Sequence, residues 1–139
     1  IFSLDKKVQL NVIAGEQKNE KGLIKTQTIV NVFTAMAEEN GKLEIDIPIN
    51  HKTLIYLLDG EILVNNSNLL KKGEDQMITF NQDGNLISFT AKKASIILIL
   101  SGEPINEKVT QYGPYVMNTQ TEILEAMRDY QQGKMGHLY

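Results

Sequence analysis

The chain has 139 residues, enough for one domain with a buried core and too few for two ordinary domains. Apolar residues make up 42% and charged residues 22%, a balance typical of a folded globular protein. The net charge is −3 and Arg128 is the only arginine, so the sequence predicts no direct nucleic-acid binding. There is no cysteine, which excludes disulfides and thiolate chemistry and favours a reducing, cytoplasmic location.

The sequence predicts no association with a membrane. Its longest apolar run, residues 96–100, is far shorter than a membrane span. Residues 1–7 lack the basic and long apolar stretches of a secretory signal peptide. The chain begins with Ile1 and not with methionine, so we expect a trimmed or partial protein.

Three stretches near the start have the pattern of β-strands. Residues 8–12 alternate apolar and polar side chains, which predicts a strand with one buried face. Residues 27–36 are rich in β-branched side chains, which favour strands. Residues 43–49 alternate strictly up to Ile49 and predict the clearest half-buried strand. Because Pro48 has no amide hydrogen, we expect it at a sheet edge or a strand end.

The middle of the chain predicts further short strands. Residues 53–58 and 61–64 flank Asp59 and Gly60, a pair that suits a tight turn, so we predict a β-hairpin there. Residues 76–80, 86–91 and 95–100 supply three more strands, of which the last is apolar at consecutive positions. Such a run predicts a strand covered on both faces. Frequent turns between short strands indicate an all-β sandwich or barrel.

The periodicity changes near the C-terminus. Thr119 and Glu122 have the spacing of a capping box. Gly133 is a suitable stop signal, so we predict one amphipathic helix over about residues 119–132. Its apolar face is predicted to contain Ile123, Ala126, Met127 and Tyr130. Because no linker or repeat interrupts the chain, we expect a single domain over residues 1–139.

The sequence offers no self-contained catalytic or metal-binding group. His51 and His137 are its only histidines, and we expect the first in an exposed loop and the second in an exposed tail. The acidic pairs Glu38-Glu39 and Glu74-Asp75 fall in predicted turns, where solvated charge is the usual explanation. We therefore assign no catalytic residue, no metal ligand and no cofactor-binding residue to this chain.

One segment resembles a family signature. It resembles the YGPFVMNT motif of the pirin family and consists of Tyr112, Gly113, Pro114, Tyr115, Val116, Met117, Asn118 and Thr119. Residues 100–105 are similar to the segment that precedes this motif in pirins, and residues 57–61 are similar to a hairpin of the cupins. Residues 12–15 match the usual entry to the second pirin domain.

The resemblance implies a cupin fold, a β-sandwich jelly roll or barrel with one C-terminal helix. Pirins carry two cupins in tandem, and their metal is held in the N-terminal one by three histidines and a glutamate. Aligning the cupin motif on Gly60 puts Thr53 at the glutamate position. The two histidine positions then fall on Ile47 and Ile49, or on Asp46 and Pro48 with the longer spacing. The resemblance thus implies no metal here, with iron expected only in an N-terminal cupin that this chain lacks.

Three functions follow as hypotheses. The first is a non-catalytic C-terminal cupin half that packs on a metal-bearing cupin, or forms a homodimer in its place. Residues 112–118 would contact that partner or brace the domain internally, with Tyr115 and Val116 packed on the barrel. The second is a part of an iron-dependent quercetin or flavonoid dioxygenase, or of a pirin-type transcriptional co-regulator. The third is a small-ligand binder that uses the barrel interior, which we expect instead to be filled by aliphatic side chains.

Overall fold

The computed structural model describes residues 1–136, and strands form most of the regular structure. The chain divides into two compact units, Ile1–Pro104 and a C-terminal unit that begins at Ile105. In chain order the elements are β1 (Val8–Ala14), β2 (Glu16–Gln17), β3 (Glu20–Lys21), β4 (Val30–Ala37), β5 (Lys42–Asp46), β6 (Lys52–Asp59), β7 (Glu61–Val64), β8 (Asn68–Lys71), β9 (Met77–Thr79), β10 (Leu86–Ala91), β11 (Ser95–Gly102), β12 (Thr110–Tyr112), β13 (Tyr115–Met117) and α1 (Gln120–Gln131).

The first unit is a sandwich of two antiparallel sheets. One sheet has five strands in the order β1-β4-β11-β6-β9, and the other has four strands in the order β5-β10-β7-β8. A small two-stranded sheet joins β2 and β3. The predicted all-β sandwich with one C-terminal helix is confirmed. Pro48 follows β5, an edge strand, as its missing amide hydrogen requires.

The core lies between the two sheets and is built in rows across the central strands. Ile99 of β11 is paired with Phe33 of β4 and Ile55 of β6, and all three are fully buried. The next row is equally buried and consists of Ala35, Ile97 and Leu57. Phe89 and other apolar residues of the four-stranded sheet close the core from the opposite side. Because alternate residues of a strand face opposite sides, each strand presents one apolar face inward.

The predicted hairpin at Asp59 and Gly60 is wrong. β6 belongs to the five-stranded sheet and β7 to the four-stranded sheet, so the turn carries the chain from one sheet to the other. Gly60 has a φ of 92°, as expected for a tight turn. The Asp59 carboxylate accepts hydrogen bonds from the Gly60 amide and the Lys72 ammonium, both at 2.9 Å. The Lys72 hydrogen bond, and then that of Gly60, hold the pKa of Asp59 below its ordinary value.

Two strand predictions also need correction. The predicted strand over residues 43–49 ends at Asp46, and Ile49 lies beyond it with its side chain 62% exposed. β11 was expected to be covered on both faces, but only its inner face is buried. Its outer face is partly exposed to solvent, and Ile96 on that face is 43% exposed. The apolar outer face of β11 therefore belongs to a surface rather than to a second core.

The C-terminal unit contains the β12-β13 hairpin and α1. Thr119 is the N-cap of α1 and forms the predicted capping box with Glu122. Gly133 follows the helix with a φ of 69°, which suits the predicted stop. Ile123 and Ala126 are buried, whereas Tyr130, which was predicted on the same apolar face, is exposed. Along residues 1–136, no helix has the length and apolar character needed to cross a membrane.

Candidate binding site at the polar end of the sandwich

The last row of inward-facing residues across β4, β11 and β6 is polar. Ser101 is paired with Asn31 on one side and Thr53 on the other. The three are 5%, 7% and 6% exposed, so they are as buried as the apolar rows beside them. Burying a polar side chain is unfavourable unless the side chain forms hydrogen bonds. One end of the sandwich is therefore a polar site.

His51 completes this row and corrects the expectation of an exposed loop. The residue closes a turn in which its amide donates to the Pro48 carbonyl at 2.9 Å, just before β6 begins. The side chain is only 4% exposed, and its Nδ1 lies 2.8 Å from the Ser101 Oγ. Sequence reasoning missed this site because Ser101 is 50 residues away along the chain. His137, the other histidine, lies outside the described residues.

Hydrogen bonds fix three members of the polar row. The Asn31 Nδ2 donates to the Ser101 Oγ at 3.3 Å, and the Asn31 Oδ1 accepts from the Glu16 amide at 3.3 Å. Gly15 makes room for Asn31, because a Cβ at Gly15 would lie 2.0 Å from the Asn31 Oδ1. Thr53 differs from the others. Its Oγ1 is the one buried side-chain polar atom in residues 1–136 that lacks a hydrogen-bond partner.

A small recess opens beside Thr53 and His51. It has a volume of about 60 Å³, and its walls include Ile47, His51, Thr53, Asn65, Phe80 and Asp83. The Asn65 side chain is already engaged, since its Oδ1 accepts from the Ser88 amide at 2.9 Å. The His51 Nε2 makes no hydrogen bond to any residue in the described part of the chain. Two residues that line the recess therefore carry a polar atom without a hydrogen-bond partner in the described residues, the Thr53 Oγ1 and the His51 Nε2.

The residues at the implied ligand positions of this chain do not fit the metal that the cupin resemblance places in the N-terminal cupin. Ile47 and Thr53 occupy two of the implied ligand positions and both line the recess. An isoleucine has no donor atom and a threonine supplies only a neutral hydroxyl, so these two positions provide neither the imidazole nor the carboxylate that the resemblance implies there. Residues 1–136 contain no group of three or more histidine, aspartate or glutamate side chains positioned to bind a metal ion.

The acidic pairs of the sequence lie on the surface, away from this recess. Glu38 and Glu39 follow β4 and are exposed. Glu74 pairs with Lys71 at 2.6 Å, and that hydrogen bond raises the pKa of Lys71. Both pairs lie outside strands and helices, as predicted. Neither faces a polar cluster that could use it as a general acid or base.

A second surface feature lies on the outer face of the five-stranded sheet. It is an apolar patch, called here the outer patch, formed by Val32, Met36, Leu54, Tyr56, Ile96, Leu98 and Leu100. The strand register makes it continuous, since Leu98 is paired with Tyr56 and Leu100 with both Val32 and Leu54. At one end it deepens into a groove of about 590 Å³, whose walls include Phe80.

The signature segment has a local structural role in the C-terminal unit. Gly113 has a φ of 55° and, with Pro114, forms the turn between β12 and β13. The Asn118 side-chain Nδ2 donates to the Glu107 carboxylate and to the Lys108 backbone carbonyl, both at 2.9 Å. Val116 is 57% exposed. Whether these residues contact a partner or only brace the domain stays a prediction.

The sandwich of two antiparallel sheets, with a pocket at one end, defines a protein of the cupin class. Residues 32–136 match the family described as the pirin C-terminal cupin domain. The chain therefore belongs to the pirin family, and the resemblance drawn from the signature near Tyr112 is confirmed.

Several relatives are similar over nearly the whole chain. The crystal structure of a quercetin 2,3-dioxygenase from Acinetobacter baumannii gives a TM-score of 0.86 at 34% identity, covering 99% of this chain and 48% of that chain. A putative quercetin 2,3-dioxygenase of Pseudomonas aeruginosa is 28% identical over 131 residues, 91% of this chain and 46% of the relative. Pirin of Rattus norvegicus is 30% identical over 131 residues, 93% of this chain and 45% of the relative.

A bacterial pirin from Escherichia coli, solved in complex with nickel(II), shares the fold. Its TM-score is 0.59 at 13% identity, over 70% of this chain and 40% of that chain. In all these comparisons this chain matches only a part of the relative. It spans about half the length of the curated relatives, 45% and 46% for the rat and Pseudomonas proteins.

Proposed function

We propose that this chain is the non-catalytic C-terminal cupin half of a pirin-like protein and that it packs on and stabilises a metal-bearing cupin. The observation that carries the proposal is the outer patch. It presents apolar side chains from the three central strands of the five-stranded sheet, and Tyr56, Met36 and Ile96 are each more than a third exposed. Apolar surface of this continuity marks interaction sites in folded proteins.

The composition of the outer patch fits a protein interface. None of its residues is charged, and it includes an aromatic side chain and a methionine, which are enriched in interface centres. Polar Gln9 and Asn11 of β1 border it on one side, and apolar Met77 and polar Thr79 of β9 border it on the other. A protein–protein contact usually has an apolar centre and a more polar border. The groove at one end can receive a side chain of the partner.

The partner we propose is a second cupin that holds a metal. The relatives are about twice as long as the stretch that this chain matches. A similar pirin binds nickel(II), whereas Ile47 and Thr53 leave the recess of this chain without a metal-binding set. Both observations are explained if one cupin holds the metal and the other cupin stabilises it. A homodimer through the outer patch would compete with this contact.

The experiment measures binding of this chain to the isolated N-terminal cupin half of the Acinetobacter quercetin 2,3-dioxygenase by isothermal titration calorimetry. We expect saturable binding with a negative heat-capacity change, because apolar surface becomes buried. Leu98→Asp should weaken binding at least about thirtyfold, since it places a charge at the centre of the buried contact. The far-UV circular dichroism of the variant checks that its fold is intact.

The matched control is Leu69→Asp, a similar change on β8 of the opposite sheet, where Leu69 is 50% exposed. It should leave binding within about twofold of the original chain. Equal loss in both variants, or no binding by the original chain, would rule out docking through the outer patch.

A second candidate is a direct part in quercetin dioxygenation, favoured by the 34% identity to the Acinetobacter quercetin 2,3-dioxygenase. In that case the chain would contribute side chains to the substrate site of the metal-bearing cupin. Adding the chain to the N-terminal half would then change the KM for quercetin. A change in metal retention or thermal stability alone supports the non-catalytic role.

A further inference from the structure

We propose that the recess at the polar end of the sandwich binds a neutral carbonyl group, such as that of a small amide, through the Thr53 hydroxyl and the His51 Nε2. This binding site belongs to the chain itself and does not depend on docking to a second cupin. Three observations support it: the hydrogen-bond arrangement around His51, the orphaned Thr53 hydroxyl, and the size and charge of the recess.

The hydrogen-bond arrangement makes the His51 Nε2 a donor. The Asn31 amide donates to the Ser101 Oγ, and the Ser101 hydroxyl lies 2.8 Å from the His51 Nδ1. If the Nδ1 donated to Ser101, the buried Ser101 hydrogen would have no acceptor in the described part of the chain, which is unfavourable. The Ser101 hydroxyl therefore donates to the Nδ1. In a neutral imidazole the hydrogen then sits on the Nε2, which has no partner within residues 1–136.

Thr53 supplies a second donor in the same recess. Its residue is 6% exposed and its Oγ1 has no hydrogen-bond partner within the described residues. A buried hydroxyl without a partner is unfavourable, and such groups in native proteins usually serve a ligand or a bound water. A valine at this position would pack equally well in the strand and would bury no unpaired hydroxyl. A ligand that accepts a hydrogen bond from the Thr53 hydroxyl would remove this cost.

The size and charge of the recess determine the class of ligand. Its volume of about 60 Å³ is small, so it favours a small group over a ring system. Asp83 is the acidic residue among its walls, which include no lysine or arginine. A carboxylate ligand would face this like charge without a counter-ion. Two donors beside a negative charge therefore favour an uncharged acceptor, which a carbonyl oxygen provides.

The experiment uses acetamide and acetate, two probes of nearly the same shape that differ in charge. Each is titrated at pH 7 into the isotope-labelled chain, and binding is followed by amide chemical shifts. We expect saturable shifts with acetamide that centre on His51, Thr53 and Ser101, and weaker or no saturation with acetate. Thr53→Val should weaken acetamide binding at least about tenfold, because it removes one of the two donors.

Matched variants separate binding from folding. Thr53→Ser keeps the hydroxyl and should retain binding, whereas Thr53→Ala removes it and should lose binding. Thr90→Val makes the same change on the outward face of β10 and should leave the acetamide affinity unchanged. Acetamide shifts that stay linear, acetate binding as tight as acetamide binding, or full affinity in Thr53→Val would each overturn the proposal. A recess that holds only water would give the first of these results.

Discussion

Single residues decide how the two sheets are joined and where the polar site lies. Gly60 stands at the corner between the sheets with a φ of 92°. A Cβ at this position would lie 2.3 Å from the Ala94 carbonyl oxygen and 2.7 Å from the Ser95 Cα. Since both are backbone atoms, a side chain there cannot be accommodated by a change of rotamer. The corner therefore requires glycine for its space as well as for its φ.

We predict that Gly60→Ala lowers the free energy of unfolding by about 3 kcal/mol, the sum of backbone strain and steric overlap. The control is Gly73→Ala, because Gly73 also has a positive φ, 83°, but has no atom within 4 Å of an added Cβ. That variant should lose only about 1 kcal/mol from strain alone. Urea unfolding of both variants measures the difference. Equal losses would show that close packing at Gly60 is unimportant.

The limits of sequence reasoning are clearest at His51 and the row beside it. A lone histidine after a turn gives no sign that its ring reaches Ser101 on another strand. The alternation of inward and outward side chains along the strands nevertheless contained a signal for this polar row. Asn31, Thr53 and Ser101 share the inward side of their strands with the fully buried Phe33, Ile55 and Ile99. A polar residue at the inward position of three strands indicates a polar layer, but only the strand register brings the three together.

Helix and strand bounds were predicted well where they depend on residues that are neighbours in the sequence. The helix begins at its capping box, and β10 has its predicted bounds, because both depend on residues that are neighbours in sequence. The hairpin at Asp59 and Gly60 failed for the opposite reason. A positive φ at Gly60 predicts a turn, but it does not specify whether the next strand pairs with the last one or crosses to another sheet. That choice depends on packing between distant strands.

We predict that the first turn of α1 becomes less stable as the pH falls below about 4.5. The Thr119 hydroxyl hydrogen bond, and then that of its amide, hold the pKa of Glu122 below its ordinary value of 4.5. The carboxylate therefore stabilises the helix above that value, and the contribution is lost as the pH falls through the lowered pKa. Amide hydrogen exchange of residues 120–124 measures the effect.

The control for this pH dependence is Thr119→Ala, which removes the side-chain half of the capping box. It should weaken the helix by about 1 kcal/mol at neutral pH. It should also reduce the pH dependence of the protection factors in the first turn, since the hydrogen bond that lowers the Glu122 pKa most is gone. Protection factors of residues 120–124, which correct for the intrinsic pH dependence of amide exchange, that stay unchanged between pH 7 and pH 3 in the original chain would contradict the assignment.

At the scale of the whole molecule, the chain combines a pirin cupin fold with an apolar outer face and a recess in which Ile47 and Thr53 occupy two of the implied ligand positions. The signature near Tyr112 allowed the family and the fold to be predicted from the sequence. The outer patch could not be predicted, because the consecutive apolar residues of β11 also fit a strand buried on both faces. Only the arrangement of the sheets distinguishes a second core from an open surface.

The most direct test of the non-catalytic role is the metal content of the purified chain. It is measured by elemental analysis after incubation with excess ferrous iron and removal of unbound metal. We predict far less than one iron per chain, because Ile47 has no donor atom and Thr53 offers only a neutral hydroxyl. Iron bound at one equivalent and resistant to a chelator would contradict this account. It would mean that His51 or His137 takes part in a metal site and that this cupin is itself a candidate catalytic half.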